Sequence, residues 1–216
     1  MRIDIWSDIA CPWCYIGLTR FGRALERFEH SEDVEVELHS FQLDPTLPES
    51  FEGTEADYLA ASKGLDVADV HAMTRQVSAA AATEGLTLDF DSLVVTNSRR
   101  AHRLLQYAKG VSGQATWDLE LALLTAHFTD GLSISDPDTV AALADRVGIE
   151  PDAARAALDS PELDAAVTAD VDAAAQLGIR GVPFFVLNGK YGVSGAQPPE
   201  LFDSALQQVW DEEHPA

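Results

Sequence analysis

Two cysteines stand two residues apart in Cys11-Pro12-Trp13-Cys14, and the 216-residue chain has no others. A CxxC pair supports three chemistries: reversible two-electron exchange, half of a metal site, or a static crosslink. A zinc site needs four ligands, commonly completed by a second CxxC or an HxxxH. This chain has neither, its six histidines lying at positions 30, 39, 71, 102, 127 and 214. A disulfide closing so short a loop gains little from chain entropy, which argues against a purely structural bridge. The residue types and spacing favour redox exchange.

The flanking elements place the pair. Before it, Ile3, Ile5 and Trp6 form a short apolar run; after it, Leu18, Phe21, Leu25 and Phe28 recur with helical spacing. The cysteines therefore fall where a strand ends and a helix begins, with Asp8, Ile9 and Ala10 as the turn. Pro12 sits in the first helical turn, where its missing N–H costs nothing. A helix N-terminus presents unpaired N–H groups and the positive end of the macrodipole, which favour an anionic sulfur at Cys11. The thiolate is the nucleophile. Cys14, one turn on, is placed to close a disulfide with it. The expectation is an exposed, attacking Cys11 and a buried, resolving Cys14.

With 46% hydrophobic residues the chain can bury a substantial core. No apolar run approaches a membrane span, and the first residues enter a strand without the basic and apolar regions of a signal peptide. The reading is cytoplasmic, in keeping with two cysteines committed to one motif. Fourteen basic residues against 36 acidic give a net charge of −22, which opposes binding to nucleic acid or an anionic membrane.

Residues 2–6 read as a strand, 12–29 as a helix and 34–39 as a second, alternating strand. Pro45, Pro48 and Gly53 mark a boundary. From about 55 to 177 the pattern is helix after helix: 57–63, 67–83, a segment from 97 capped by Asn97 or Ser98, and 114–128. Asp136-Pro137, Glu150-Pro151 and Ser160-Pro161 then each open another. Residues 184–187 and 190–193 form a hairpin around Asn188-Gly189, a type I′ signal, and a last helix begins at Pro198-Pro199.

Cys11-Pro12-Trp13-Cys14-Tyr15-Ile16-Gly17, Ser40-Phe41-Gln42-Leu43 and Asn97-Ser98-Arg99-Arg100-Ala101-His102 are similar to motifs of the DsbA family. So is Gly181-Val182-Pro183-Phe184-Phe185 with Gly195-Ala196-Gln197. The likeness is strongest to the FrnE-type cytoplasmic branch and covers essentially the whole chain. It implies an α/β, thioredoxin-like fold with a large inserted all-helical domain: a core of 1–45 and 178–216, and an insertion of 46–177. It implies thiol–disulfide oxidoreductase activity, extending to disulfide isomerisation, on protein or small-molecule thiols and disulfides. No bound cofactor is implied, the redox group being the Cys11–Cys14 disulfide, with glutathione as an optional co-substrate. A homodimer is compatible with the family.

By the same resemblance Val182-Pro183 matches the family's cis-proline, facing the cysteines, so Pro183 joins Cys11 and Cys14 as catalytic. Pro12, Trp13, Phe41 and Val182 are assigned to substrate binding, with Asn97 and His102 lining the groove above the cysteines. His127, Phe128 and Asp130 carry less weight. Trp13 replaces the histidine usual between the cysteines of periplasmic DsbA, so a milder potential is expected. Two alternatives stand beside this reading. One is a glutathione-dependent isomerase or transferase related to 2-hydroxychromene-2-carboxylate isomerase and the kappa-class glutathione transferases. The other is a chaperone-like binding module with secondary redox activity.

Overall fold

The computed structural model describes residues 1–215. Strand β1 (Arg2–Ser7) runs into the cysteine turn and helix α1 (Pro12–Arg27); a single 3-10 turn (Ser31–Asp33) then leads to β2 (Glu35–Ser40). Helices α2 (Glu55–Lys63), α3 (Val67–Thr83), α4 (Arg99–Lys109) and α5 (Gly113–Phe128) follow. After them come α6 (Pro137–Arg146), α7 (Pro151–Ala157) and α8 (Pro161–Gln176). The chain returns to the sheet with β3 (Phe184–Leu187) and β4 (Tyr191–Ser194) and ends in α9 (Pro199–Glu213).

The strand order is β2-β1-β3-β4. β1 pairs parallel with β2, Ile3 opposite Val36, and antiparallel with β3, Ile5 opposite Phe185. Asn188 and Gly189 take φ of 50° and 64°, the left-handed pair that a type I′ turn requires. The three Asp/Glu/Ser-Pro starts appear as read, with proline in the first turn of α6, α7 and α8. The helix 12–29 ends at Arg27, because Phe28 is already extended.

Alternation along β1 sorts its side chains onto two faces. Ile3 and Ile5 are fully buried in one large cluster with Leu18 and Phe21 of α1 and Phe202 and Leu206 of α9. The Phe21 ring lies 5.3 Å from Phe185 and 5.6 Å from Phe202. On the other face Trp6 packs with Ala174 of α8 and Ile179, and its indole N–H donates to the Asp170 carbonyl at 3.0 Å. The large cluster continues into Leu104, Leu119, Leu123 and Val140, so α4, α5 and α6 share the core of the sheet. Helix α2 differs: it has a complete capping box from Thr54 and Asp57 but buries no residue.

Candidate active site

Cys11 is the N-cap residue of α1, with extended backbone (φ −107°, ψ 108°). Its amide donates to the Asp8 carbonyl at 3.0 Å, and its own carbonyl accepts from the Cys14 amide at 2.9 Å. Both cysteines are free thiols. The Cys11 S–H points at the Val182 carbonyl oxygen, 3.5 Å away. The Val182–Pro183 peptide bond is cis. Pro183 is seated on α1 at Gly17: a Cβ there would lie 2.6 Å from Pro183 Cγ, so only glycine lets the loop come this close.

The expectation of an exposed Cys11 is corrected: 4% of its surface is accessible, because the Val182 loop covers the sulfur. Cys14 has none. Burial pushes the Cys14 thiol well above its ordinary value, and the adjacent Cys11 adds to this. The exposed member of the motif is Trp13, with Pro12 half-buried beside it. Phe41 and Val182 are half-buried and pack together on the small cluster of Trp6, Ala174 and Ile179. They flank the cysteine loop and also close that cluster.

Asn97 and His102 are both buried, Asn97 against backbone groups of the 43–47 loop and α4, His102 against the Asp8 carboxylate. Asn97 Oδ1 accepts from the Arg99 amide and from Gln42 Nε2, while its Nδ2 donates to the Leu47 carbonyl. It starts α4 and holds the 43–47 loop. Ser98 occupies the N-cap position, but its side chain makes no capping bond. His102 Nε2 is 3.2 Å from Asp8 Oδ1. The other Asp8 oxygen accepts from the Leu43 amide at 2.7 Å. Burial works to raise the Asp8 carboxyl, but the hydrogen bond and charge of His102, with the Leu43 amide, outweigh it and hold it below the usual range.

Two further buried residues, Ser7 and Glu120, join Asp8 and His102. Ser7, the last residue of β1, donates to Glu120 Oε1 at 2.6 Å, and both are buried. The Ser7 side chain and the Asp8 backbone work to lower the Cys14 thiol, against its burial. Burial raises the Glu120 carboxyl, against the pull of His102 and Ser7. The signal for this group was present in sequence: a lone carboxylate in Leu119-Glu120-Leu121-Ala122-Leu123-Leu124, and a Ser7-Asp8 pair ending an apolar strand. Among the described residues the one metal-ligand cluster is Asp4, Glu37 and His39. Arg2 already pairs with Asp4 and Glu37, and His39 is bonded to Asp4 and Asp170.

A strand-end thiol pair at a helix N-terminus, faced by a cis X-Pro loop, defines the chemistry and the family together. The model of the DSBA-like thioredoxin domain matches residues 2–207. The chain belongs to this family. The family function is thiol–disulfide oxidoreduction and isomerisation. This DsbA-family protein is similar to a probable DsbA oxidoreductase from Streptomyces coelicolor, at 40% identity and TM-score 0.90, over 100% of this chain and 92% of that one. In fold it is similar to a 2-hydroxychromene-2-carboxylate isomerase, at 15% identity and TM-score 0.75, over 99% and 98% of the two chains. It is also similar in fold to the cytosolic disulfide reductase DsbM from Pseudomonas aeruginosa with GSH, at 18% identity and TM-score 0.66, over 97% and 99%.

Proposed function

We propose that this protein exchanges disulfides through Cys11 and Cys14, with Cys11 attacking and Cys14 resolving. The observation that carries this is the contrast between the two sulfurs. Cys11 stands at the helix start, 3.5 Å from Val182 O, whereas Cys14 is fully enclosed one turn deeper. The Cys11 thiolate attacks a substrate disulfide, one substrate sulfur leaves as a thiolate, and a mixed disulfide forms. Cys14 then loses its proton and attacks Cys11 Sγ, which expels the second substrate thiolate and closes the Cys11–Cys14 disulfide. Two electrons pass from the dithiol to the substrate. A protein-disulfide isomerase would instead return the mixed disulfide to another substrate thiol, and both outcomes use the same first step.

Pro183 and Val182 shape the approach to Cys11, and Pro12, Trp13 and Phe41 supply its apolar rim. The helical block 46–177 selects among substrates, and glutathione serves as a co-substrate. A cysteine content limited to the active pair supports work in the cytoplasm. The test is turnover of a disulfide-bearing protein and of oxidised glutathione under a fixed reductant, for the native protein and Cys11→Ser. The reading expects both reactions to be lost in the variant. Retained turnover of either would refute it.

A further inference from the structure

A cavity of about 340 Å³ lies beside the cysteine turn. It is lined by Asp8 and Ala10, which lead into Cys11, by one face of α2 carrying Glu55, Tyr58 and Lys63, and by His127 of α5. On this face Tyr58 is half-buried against Phe51, and Glu55 is half-buried beside it at the cavity wall.

One buried polar atom of the cavity lining has no partner. His127 is 3% exposed and its Nδ1 makes no hydrogen bond. Burial lowers its pKa to about 4, which keeps the ring neutral at physiological pH. Such an atom is costly to leave unpaired, and an occupant that bonds it recovers the loss. Glu55, half-buried, lines the same cavity. Burial pushes its carboxyl up to about 7, and the charge of Lys63 is the one opposing influence. Asp44, which also lines the cavity, accepts from the Tyr58 hydroxyl at 2.8 Å. Asp8 is already paired with His102, so the carboxyl groups of Asp44 and Glu55 stand against the single cation of Lys63. A dicarboxylate tail fits this charge balance poorly, and an ammonium fits it well.

We propose that this cavity receives the tail of a small disulfide bearing a protonated amine, with the ammonium against Glu55 and the sulfur presented to Cys11. This rests on Cys11 being the attacking thiol. The reaction is balanced: the reduced protein and one disulfide RSSR yield the Cys11–Cys14 disulfide and two RSH. The electron pair of the RS–SR bond leaves on the first sulfur, that of the Cys11–SR mixed disulfide leaves on the second when Cys14 attacks, and the two cysteine protons end on the released thiols.

The experiment mixes reduced protein with cystamine, or with the dianion 3,3′-dithiodipropionate, in about 0.5 M NaCl, where exposed charges act only over a few ångströms. The readout is the ratio of the two second-order rate constants. Glu55→Gln should lower the cystamine preference threefold or more, and Lys63→Gln should raise it. Glu29→Gln, an exposed change just past the C-terminal end of α1, should leave it alone. A smaller effect of Glu55→Gln, or an equal one from Glu29→Gln, overturns the proposal. Cys11→Ser separates the two levels: if it still reacts with both disulfides, the exchange reading itself fails. If it reacts with neither while Glu55→Gln is silent, only the cavity assignment fails.

Discussion

Cys14 holds its proton because it is enclosed. Burial and the neighbouring Cys11 both raise it, and only the Ser7 hydroxyl and the Asp8 backbone act the other way. Alkylation with iodoacetamide near neutral pH should therefore label Cys11 at least about tenfold faster than Cys14, since the thiolate is the reactive species. Equal rates, read by peptide mapping, would contradict the assignment of roles. Asp8 organises the same turn by accepting from His102, Ala10 and Leu43. Its carboxyl is held below its ordinary value, so it contributes stability above the unfolded pKa of about 4, and that stability is lost as pH falls through the folded value. Asp8→Asn should lower stability at neutral pH by about 1–3 kcal/mol and flatten the loss on acidification. Urea unfolding at neutral pH and below pH 4 checks both parts.

At the scale of elements, the contact between α1 and the Val182–Pro183 loop is set by Gly17. Glycine in mid-helix costs roughly 1 kcal/mol relative to alanine, and here the close approach of Pro183 explains why it is there. Gly17→Ala should push the loop off the helix, slow disulfide exchange, and destabilise the fold by about 1–3 kcal/mol despite its better helix propensity. Thermal unfolding and a single-turnover rate measure the two effects, and an unchanged rate would remove the loop from the account. Most elements were legible from the chain alone, because period and punctuation agree. Ile3 and Ile5 alternate, Leu18 and Phe21 step by helical turns, and proline opens α6, α7 and α8. The surroundings of Asn97 and His102 were not legible for a physical reason. Their motif does not show which way they face, and their partners, Leu47 and Asp8, are distant in sequence. Gly17 stood in the quoted motif, yet its role depends on Pro183, far along the chain.

Over the whole molecule, 36 acidic residues against 14 basic ones repel one another in the folded state. Raising NaCl from about 20 mM to about 0.5 M should lift Tm by roughly 5 °C or more, because screening relieves that repulsion. A flat or falling Tm would mean that the local pairs, such as Arg20 and Arg23 with Glu84, outweigh the net charge. The continuity of the core through α4, α5 and α6 was the least legible feature, since a run of helices between two strand regions reads equally well as a separate unit. That shared core brings His102 of α4 to Asp8 and Glu120 of α5 to Ser7, the two residues that lead into the cysteine turn. The order of events at the two sulfurs is tested most directly by trapping. Reduced Cys14→Ser and Cys11→Ser are each mixed with excess oxidised glutathione and read by intact mass. The account predicts one stable glutathione adduct, on Cys11, in Cys14→Ser and none in Cys11→Ser. An adduct on Cys14 in Cys11→Ser, or none in Cys14→Ser, would contradict it.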